Sequence, residues 1–268
     1  MMKFPKTKII QFFVALKCKL WKTPDLYFLH IGKTGGTFIK TQVIGNSDYL
    51  HGSRKVKILE YLARNYRIIP LKHHQSQLQN FRPDEDLISC WIRDPIQRMH
   101  SAFDFAKNRD NTMYSWAPIS AKTSELIAKF DNFEDFIKSL VEHANPEAEE
   151  LLDSVDHFKA NYEFYFGSVD ELKRYESNFL FVGQMEQMNS SVELFCFITN
   201  SKSGHLGSPA INKTPTKFRT SPIHGPLLNA TRCYFKKEYE IYNFLVAISN
   251  RIMHEHHKKY CKTSHRKG

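Results

Sequence analysis

The stretch LYFLHIGKTGGTFIKT, residues 26–41, decides how the rest of the chain is read. Leu26 to Ile31 form a compact apolar run rich in aromatic residues, which predicts a buried strand. Gly32 to Gly36 form a turn, and from Thr37 the spacing of Phe38, Thr41 and Gln42 is helical until Gly45. The order strand, glycine loop, helix puts Lys33 at the carboxyl edge of a parallel sheet, where ligands bind in this architecture. Glycines there let backbone N–H groups approach an anion closely, the helix start contributes the equivalent of about half a positive charge, and Lys33 adds a full one. Gly32, Lys33 and Thr34 match the end of the Walker A pattern G-x-x-x-x-G-K-[ST], but the position of its first glycine holds Tyr27. The glycine pair instead follows the lysine.

Working outward from this unit, residues 56–66 carry a helical repeat through Val56, Leu59, Leu62 and Ala63, and residues 68–71 read as a short strand leading into LKHHQSQL. LISCWI, residues 87–92, is a second continuous apolar strand. Asp94 and Pro95 then spell an N-cap and a first helical position, with Ile96, Met99, Phe103 and Ala106 on one face. Strands alternating with helices predict an α/β fold, a parallel sheet flanked by helices on both faces. Residues 110–178 are helix-rich, with an amphipathic FEDFIKSLVEHA at 133–144 and an acidic stretch behind Pro146, and read as a helical insertion over the sheet edge. FLFVG, 179–183, is a further strand followed by a helix over 188–198. Residues 200–226 read as a long surface loop, a length that often carries function, and 228–258 as one long helix through Tyr234, Tyr239, Tyr242, Leu245 and Ile248.

At 268 residues the chain suits one full-sized domain, assigned to residues 25–260, and 41% hydrophobic with 25% charged residues excludes a disordered chain or a multi-pass membrane protein. Lys and Arg outnumber Asp and Glu by 38 to 28, a net charge of +10 that favours an anionic partner: nucleic acid, a phospholipid surface, a nucleotide or a polyanionic sugar. Cys18, Cys90, Cys196, Cys233 and Cys261 are scattered without a C-x-x-C pair, which fits reduced thiols and a cytoplasmic location. Residues 1–24 are basic, with an apolar run too short to span a bilayer. They read either as an amphipathic helix lying on an anionic membrane surface, a peripheral contact, or as a helix packed on the domain. HEHH, 254–257, ends a basic helix and reads as a solvated tail rather than a metal site. Sequons at Asn189, Asn212 and Asn229 read as coincidence.

The strand at 87–92 delivers Arg93 to the same carboxyl edge as Lys33, and Asp94 as N-cap leaves the arginine to face the crevice. Ser101 follows two turns along that helix, about 10 Å by the helical rise, within the combined reach of an arginine and a hydroxyl around one phosphate. Two anion-seeking loops at one edge suggest a ligand with phosphate at both ends of a nucleoside.

KTGGT at 33–37 together with RDPIQRMHSAFDF at 93–105 resembles the two signature segments of sulfotransferases that use 3′-phosphoadenosine 5′-phosphosulfate (PAPS). The resemblance is closest to the carbohydrate sulfotransferases of the heparan sulfate 2-O and 6-O type and their bacterial relatives. It is strong over residues 26–106, weaker at FVGQMEQM, INKT and the helix around Glu238 to Phe244, and faint in the middle. It implies a P-loop-like fold in which Lys33, Thr34, Gly35, Gly36 and Thr37 hold the 5′-phosphosulfate and Arg93 and Ser101 the 3′-phosphate. Asn212, Lys213 and Thr214 would belong to a loop closing over the nucleotide. It further implies metal-free, in-line transfer to a hydroxyl acceptor, a carbohydrate, with Lys33 beside the bridging oxygen and a histidine base. Aligned on Ser76 and Leu78, that base falls on His74, with His73 one place off. The rival readings are a Walker-type nucleotide-dependent kinase using ATP and magnesium, and a basic nucleic-acid-binding protein, for which no recognition motif of known spacing is present.

Overall fold

A computed structural model describes residues 23–39, 65–71, 76–108, 119–201 and 222–264, with backbone only for Thr37 and 257–264. Its centre is a four-stranded, all-parallel sheet in the order β2–β1–β3–β4, made of β1 (Asp25–Leu29), β2 (Arg67–Pro70), β3 (Leu87–Ile92) and β4 (Phe179–Gln184). The α/β class and all four strand assignments agree with the hydrophobic runs. β3 is the most enclosed, because a central parallel strand is covered on both faces: Ile88, Cys90, Trp91 and Ile92 have no exposed surface. From β1 the chain steps outward to β2 and then returns to the other side of β1 to lay down β3. The crevice beyond the carboxyl ends of β1 and β3 is therefore the topological switch point of the sheet.

The helices are α1 (Gly36–Phe38), α2 (Pro95–Lys107), α3 (Ala121–Ala128), α4 (Phe133–Val141), α5 (Pro146–Ser154), α6 (Asp156–Lys159), α7 (Tyr162–Phe166), α8 (Val169–Arg174), α9 (Met188–Thr199), α10 (Gly225–Tyr234) and α11 (Lys236–Ser264). α9 and α11 pack on β4. Phe195 of α9 meets Phe181 at 5.2 Å between centroids, whereas the Gln184 side chain donates to Ser249 of α11 at 3.1 Å. Residues 181 and 184 differ in parity, so these two helices take opposite faces of the strand. Trp91 fills the interior on the α9 face, 5.7 Å from Phe28, 4.8 Å from Phe181 and 5.0 Å from Phe195.

A second apolar cluster lies among the helices, built from Ile96, Met99, Phe103 and Ala106 of α2 with Leu126, Phe133, Phe136, Leu140 and Phe158. Asp94 caps α2 as its sequence predicts, accepting from the Gln97 amide at 3.0 Å with Pro95 in the first turn. The apolar face of α2 is also the predicted one, but it turns away from the sheet. Phe103 and Phe158 stack on Phe136 at 5.6 and 5.5 Å, and each such ring contributes about 2–3 kcal/mol by leaving water. The helix-rich middle thus has an interior of its own.

The single helix expected over 228–258 is two helices that meet at Phe235. Leu227 and Phe235 belong with the helical cluster, while Ile241, Leu245, Ile248 and Ile252 belong with the sheet. The helix is thus interrupted between a segment that serves one interior and a segment that serves the other. Cys90 and Cys196 are buried free thiols and Cys233 is an exposed one. Among the described residues no helix is long and apolar enough to cross a membrane. The basic segment 1–22, most of the helix expected over 56–66 and the loop over 202–221 lie outside the described residues.

Candidate functional site

β1 and β3 are neighbours in register, Leu29 opposite Cys90, so the loop that follows Leu29 and the turn that follows Ile92 leave the sheet side by side. Lys33 and Arg93 therefore belong to adjacent strand ends, about 5 Å apart by the strand spacing. Lys33 adopts φ 65, a left-handed conformation that costs a non-glycine residue about 1–2 kcal/mol. Its ammonium lies over the Phe105 ring of α2, 3.2 Å from the centroid. Phe105 is four residues beyond Ser101, so both lie on one face of α2. The lysine of the first loop thus reaches across to the helix that the second turn opens.

The glycine pair has packing reasons that the bare pattern does not show. Gly35 takes φ 72, and a Cβ there would come 2.7 Å from the Met185 sulfur, just past β4. At Gly36 an added Cβ would overlap the imidazole of His30, which is buried beneath the loop and stacks on Phe28. The Thr34 hydroxyl donates to the Ile31 carbonyl at 2.9 Å, and the residue is only 1% exposed. That side chain ties the loop to itself instead of facing the crevice. What Thr34 can offer a ligand is its backbone.

The Arg93 turn is held differently, by side chains from three other segments. The Tyr162 hydroxyl accepts from the Arg93 amide at 2.8 Å and donates to the Arg93 carbonyl at 2.6 Å. Glu186 accepts from the Asp94 amide at 2.9 Å, and the Tyr239 hydroxyl donates to the Asp94 carboxylate at 3.0 Å. Burial pushes the Tyr162 phenol well above its ordinary range, which keeps it protonated as the donor this contact requires. Arg93 and Ser101 are both half-buried.

Behind Tyr162 stands a buried charge pair. Glu238 of α11 accepts from the Tyr162 amide at 3.0 Å and faces the Arg98 guanidinium at 3.8 Å, the two residues being 5% and 1% exposed. Arg98 also donates to the His157 and Ala160 carbonyls at 2.8 and 3.2 Å. Burial raises the Glu238 carboxyl above the ordinary carboxylate value, against the opposing pull of Arg98.

The loop bearing Lys33, Gly35 and Gly36 and the turn bearing Arg93 thus leave neighbouring strand ends, Ser101 lies on the helix that Lys33 reaches, and the Thr34 side chain turns inward. The side chain of Thr37, and all of His73, His74, Asn212, Lys213 and Thr214, lie outside the described residues. The sequence reading missed Phe105, His30, Tyr162 and Tyr165. Phe105 could have been found from its four-residue spacing after Ser101; the tyrosines, in NYEFYFG at 161–167, have only a three-residue spacing to mark them. Among the described residues no group of three or more His, Cys, Asp or Glu is placed to hold a metal ion. No family model, curated protein or solved structure matches this chain.

Proposed function

We propose that this chain is a P-loop-like sulfotransferase that moves a sulfuryl group from PAPS to the hydroxyl of an acceptor, a carbohydrate by resemblance. The observation that carries the reading is the Lys33 ammonium 3.2 Å above Phe105, on the helix that follows the Arg93 turn and bears Ser101. It brings a fixed cation from one strand end to the helix of the next, at the switch point where open α/β sheets bind their ligands. Walker-type kinase chemistry is disfavoured by a second observation. Tyr27, at the position of the missing first glycine, lies inside β1, paired with Ile69 and Ile88, where no phosphate-cradling loop exists.

In this reading the 5′-phosphosulfate lies against Lys33 and the backbone of residues 34–37, and the 3′-phosphate against Arg93 and Ser101. The acceptor oxygen forms its bond to sulfur as the bond from sulfur to the bridging oxygen breaks, and the acceptor proton passes to a histidine, His74 or His73. The charge that develops on the departing phosphate is met by Lys33, a cation already held in place by its backbone and by Phe105. Sulfuryl transfer, like phosphoryl transfer, is then a matter of alignment and fixed charge.

Thermal unfolding with adenosine 3′,5′-bisphosphate (PAP), the desulfated product, tests the reading against ATP with magnesium. PAP at a hundredfold over its dissociation constant is expected to stabilise the protein by about 2.7 kcal/mol. A shift with ATP and magnesium but none with PAP would transfer the site to the kinase reading, and strongly salt-dependent binding of generic DNA in place of either would point to nucleic acid.

A further inference from the structure

The two anion loops share a support that neither motif contains. α7 carries Tyr162 and Tyr165, three residues apart and so on neighbouring positions of one helical face. The Tyr162 hydroxyl grips the amide and carbonyl of Arg93 at 2.8 and 2.6 Å, and the Tyr165 hydroxyl accepts from the Gly32 amide at 3.2 Å. Both rings are fully buried. The helix itself is fixed at each end. Asn161 caps it by accepting from the Phe164 amide at 2.8 Å, Gly167 ends it at φ 68, and Glu238 holds the Tyr162 amide. Tyr162 is further confined by Tyr242, stacked at 6.1 Å, and by the Arg98 guanidinium 5.5 Å from the ring centre.

Resting on the functional reading above, we infer that Tyr162 and Tyr165 are positioning residues. Their two hydroxyls, on one short rigid helix, set the separation between the glycine loop and the Arg93 turn, and so match the site to a nucleotide carrying phosphate at both ends. Neither hydroxyl needs to touch the ligand. Loops anchored only to their own strands could shift relative to one another; loops pinned to the same helix move together. Each tyrosine then governs one half of the ligand. Tyr165 acts through Gly32 on the 5′ end, and Tyr162 acts through Arg93 on the 3′ end.

Tyr162→Phe and Tyr165→Phe, made in the full chain, remove each hydroxyl and keep the ring that fills the interior. Calorimetric titration with PAP, adenosine 3′-monophosphate and adenosine 5′-monophosphate reads the two halves separately. Tyr162→Phe is expected to weaken PAP and the 3′-monophosphate by about tenfold, with the 5′-monophosphate changed by less than about twofold; Tyr165→Phe is expected to show the reverse preference. This crossed pattern is what a general loss of stability does not produce. An equal loss for all three nucleotides, or no loss, in variants whose parent binds PAP overturns the brace and leaves the sulfotransferase reading in place. A parent that binds none of the three overturns both. Amide hydrogen exchange supplies a check without ligand: Tyr165→Phe is expected to speed exchange at Gly32 and Tyr162→Phe at Arg93, and unchanged protection overturns the inference.

Discussion

The two turns at the carboxyl edge balance local and distant support differently. The loop over residues 32–36 is shaped mainly from within, by left-handed backbone at Lys33 and Gly35, by the Thr34 hydroxyl on Ile31, and by a glycine that leaves space for His30, with one distant bond from the Gly32 amide to the Tyr165 hydroxyl. The Arg93 turn is held from outside, by Tyr162, Glu186 and Tyr239, whose positions depend on segments that follow it by 69 residues or more. A locally encoded loop announces itself in its own residues. An externally braced turn takes its shape from the completed fold, so damage far away in sequence should reach it.

The contrast breaks most forcefully at Glu238. Glu238→Ala would leave Arg98 buried without its counter-charge and the Tyr162 amide without its acceptor, and should cost about 3–5 kcal/mol in chemical denaturation. A loss under about 1 kcal/mol would show that the Arg93 turn does not depend on its distant support. On the other side, Gly36→Ala should cost about 1–3 kcal/mol through the clash with His30, together with a loss of PAP binding. If the local account is right, adding His30→Ala to Gly36→Ala recovers part of that stability; a purely additive double variant would remove the clash as the reason for the glycine.

Lys33 sharpens the comparison, because backbone strain and the role proposed for its ammonium meet at one residue. Lys33→Ala keeps the left-handed backbone and loses the contact with Phe105, an expected loss of about 0.5–1 kcal/mol. Lys33→Gly loses the same contact but relieves about 1 kcal/mol of backbone strain, so its stability should fall within about 0.5 kcal/mol of the parent. Both should lose the proposed sulfuryl transfer. Equal melting temperatures for the Ala and Gly variants would mean that the strain is not there.

The smallest effect is a pH dependence. Burial holds the Glu238 carboxyl above its ordinary value, so the folded chain binds that proton more tightly than the unfolded one. The associated stability is full below the unfolded value, about 4.3, and is lost as pH rises through the interval up to the folded value. Denaturation midpoints of the parent should therefore fall across that interval relative to Glu238→Gln, which has no such proton. A parent curve that climbs against the variant would reverse the assignment.

How much of this was legible follows the same division. LYFLHI, LISCWI and FLFVG read as buried strands because a strand enclosed on both faces must be apolar at every position, a requirement met within six residues or fewer. Asp94 with Pro95 marked the start of α2 for an equally local reason. The direction in which α2 turns was not legible, since Ile96, Met99, Phe103 and Ala106 form an apolar stripe that would suit a sheet or a helical interior alike. The break at Phe235 was hidden because helical spacing runs through it, and the division between two interiors is seen only in the fold. The glycine pair was recognised as special, but its reasons, His30 and Met185, come from the strand beneath and from the end of β4.

From its residues alone, this protein could be read as an α/β chain with a parallel sheet, a lysine loop after one strand and an arginine turn after another, because each depends on the chemistry of a few neighbouring positions. That β1 and β3 lie side by side, that Lys33 reaches Phe105, and that two tyrosines of one helix hold both turns became visible only in the assembled fold. Hydrogen bonds and ring contacts between residues some 70 to 130 positions apart leave no periodic trace in a sequence; they exist only once packing has brought the segments together.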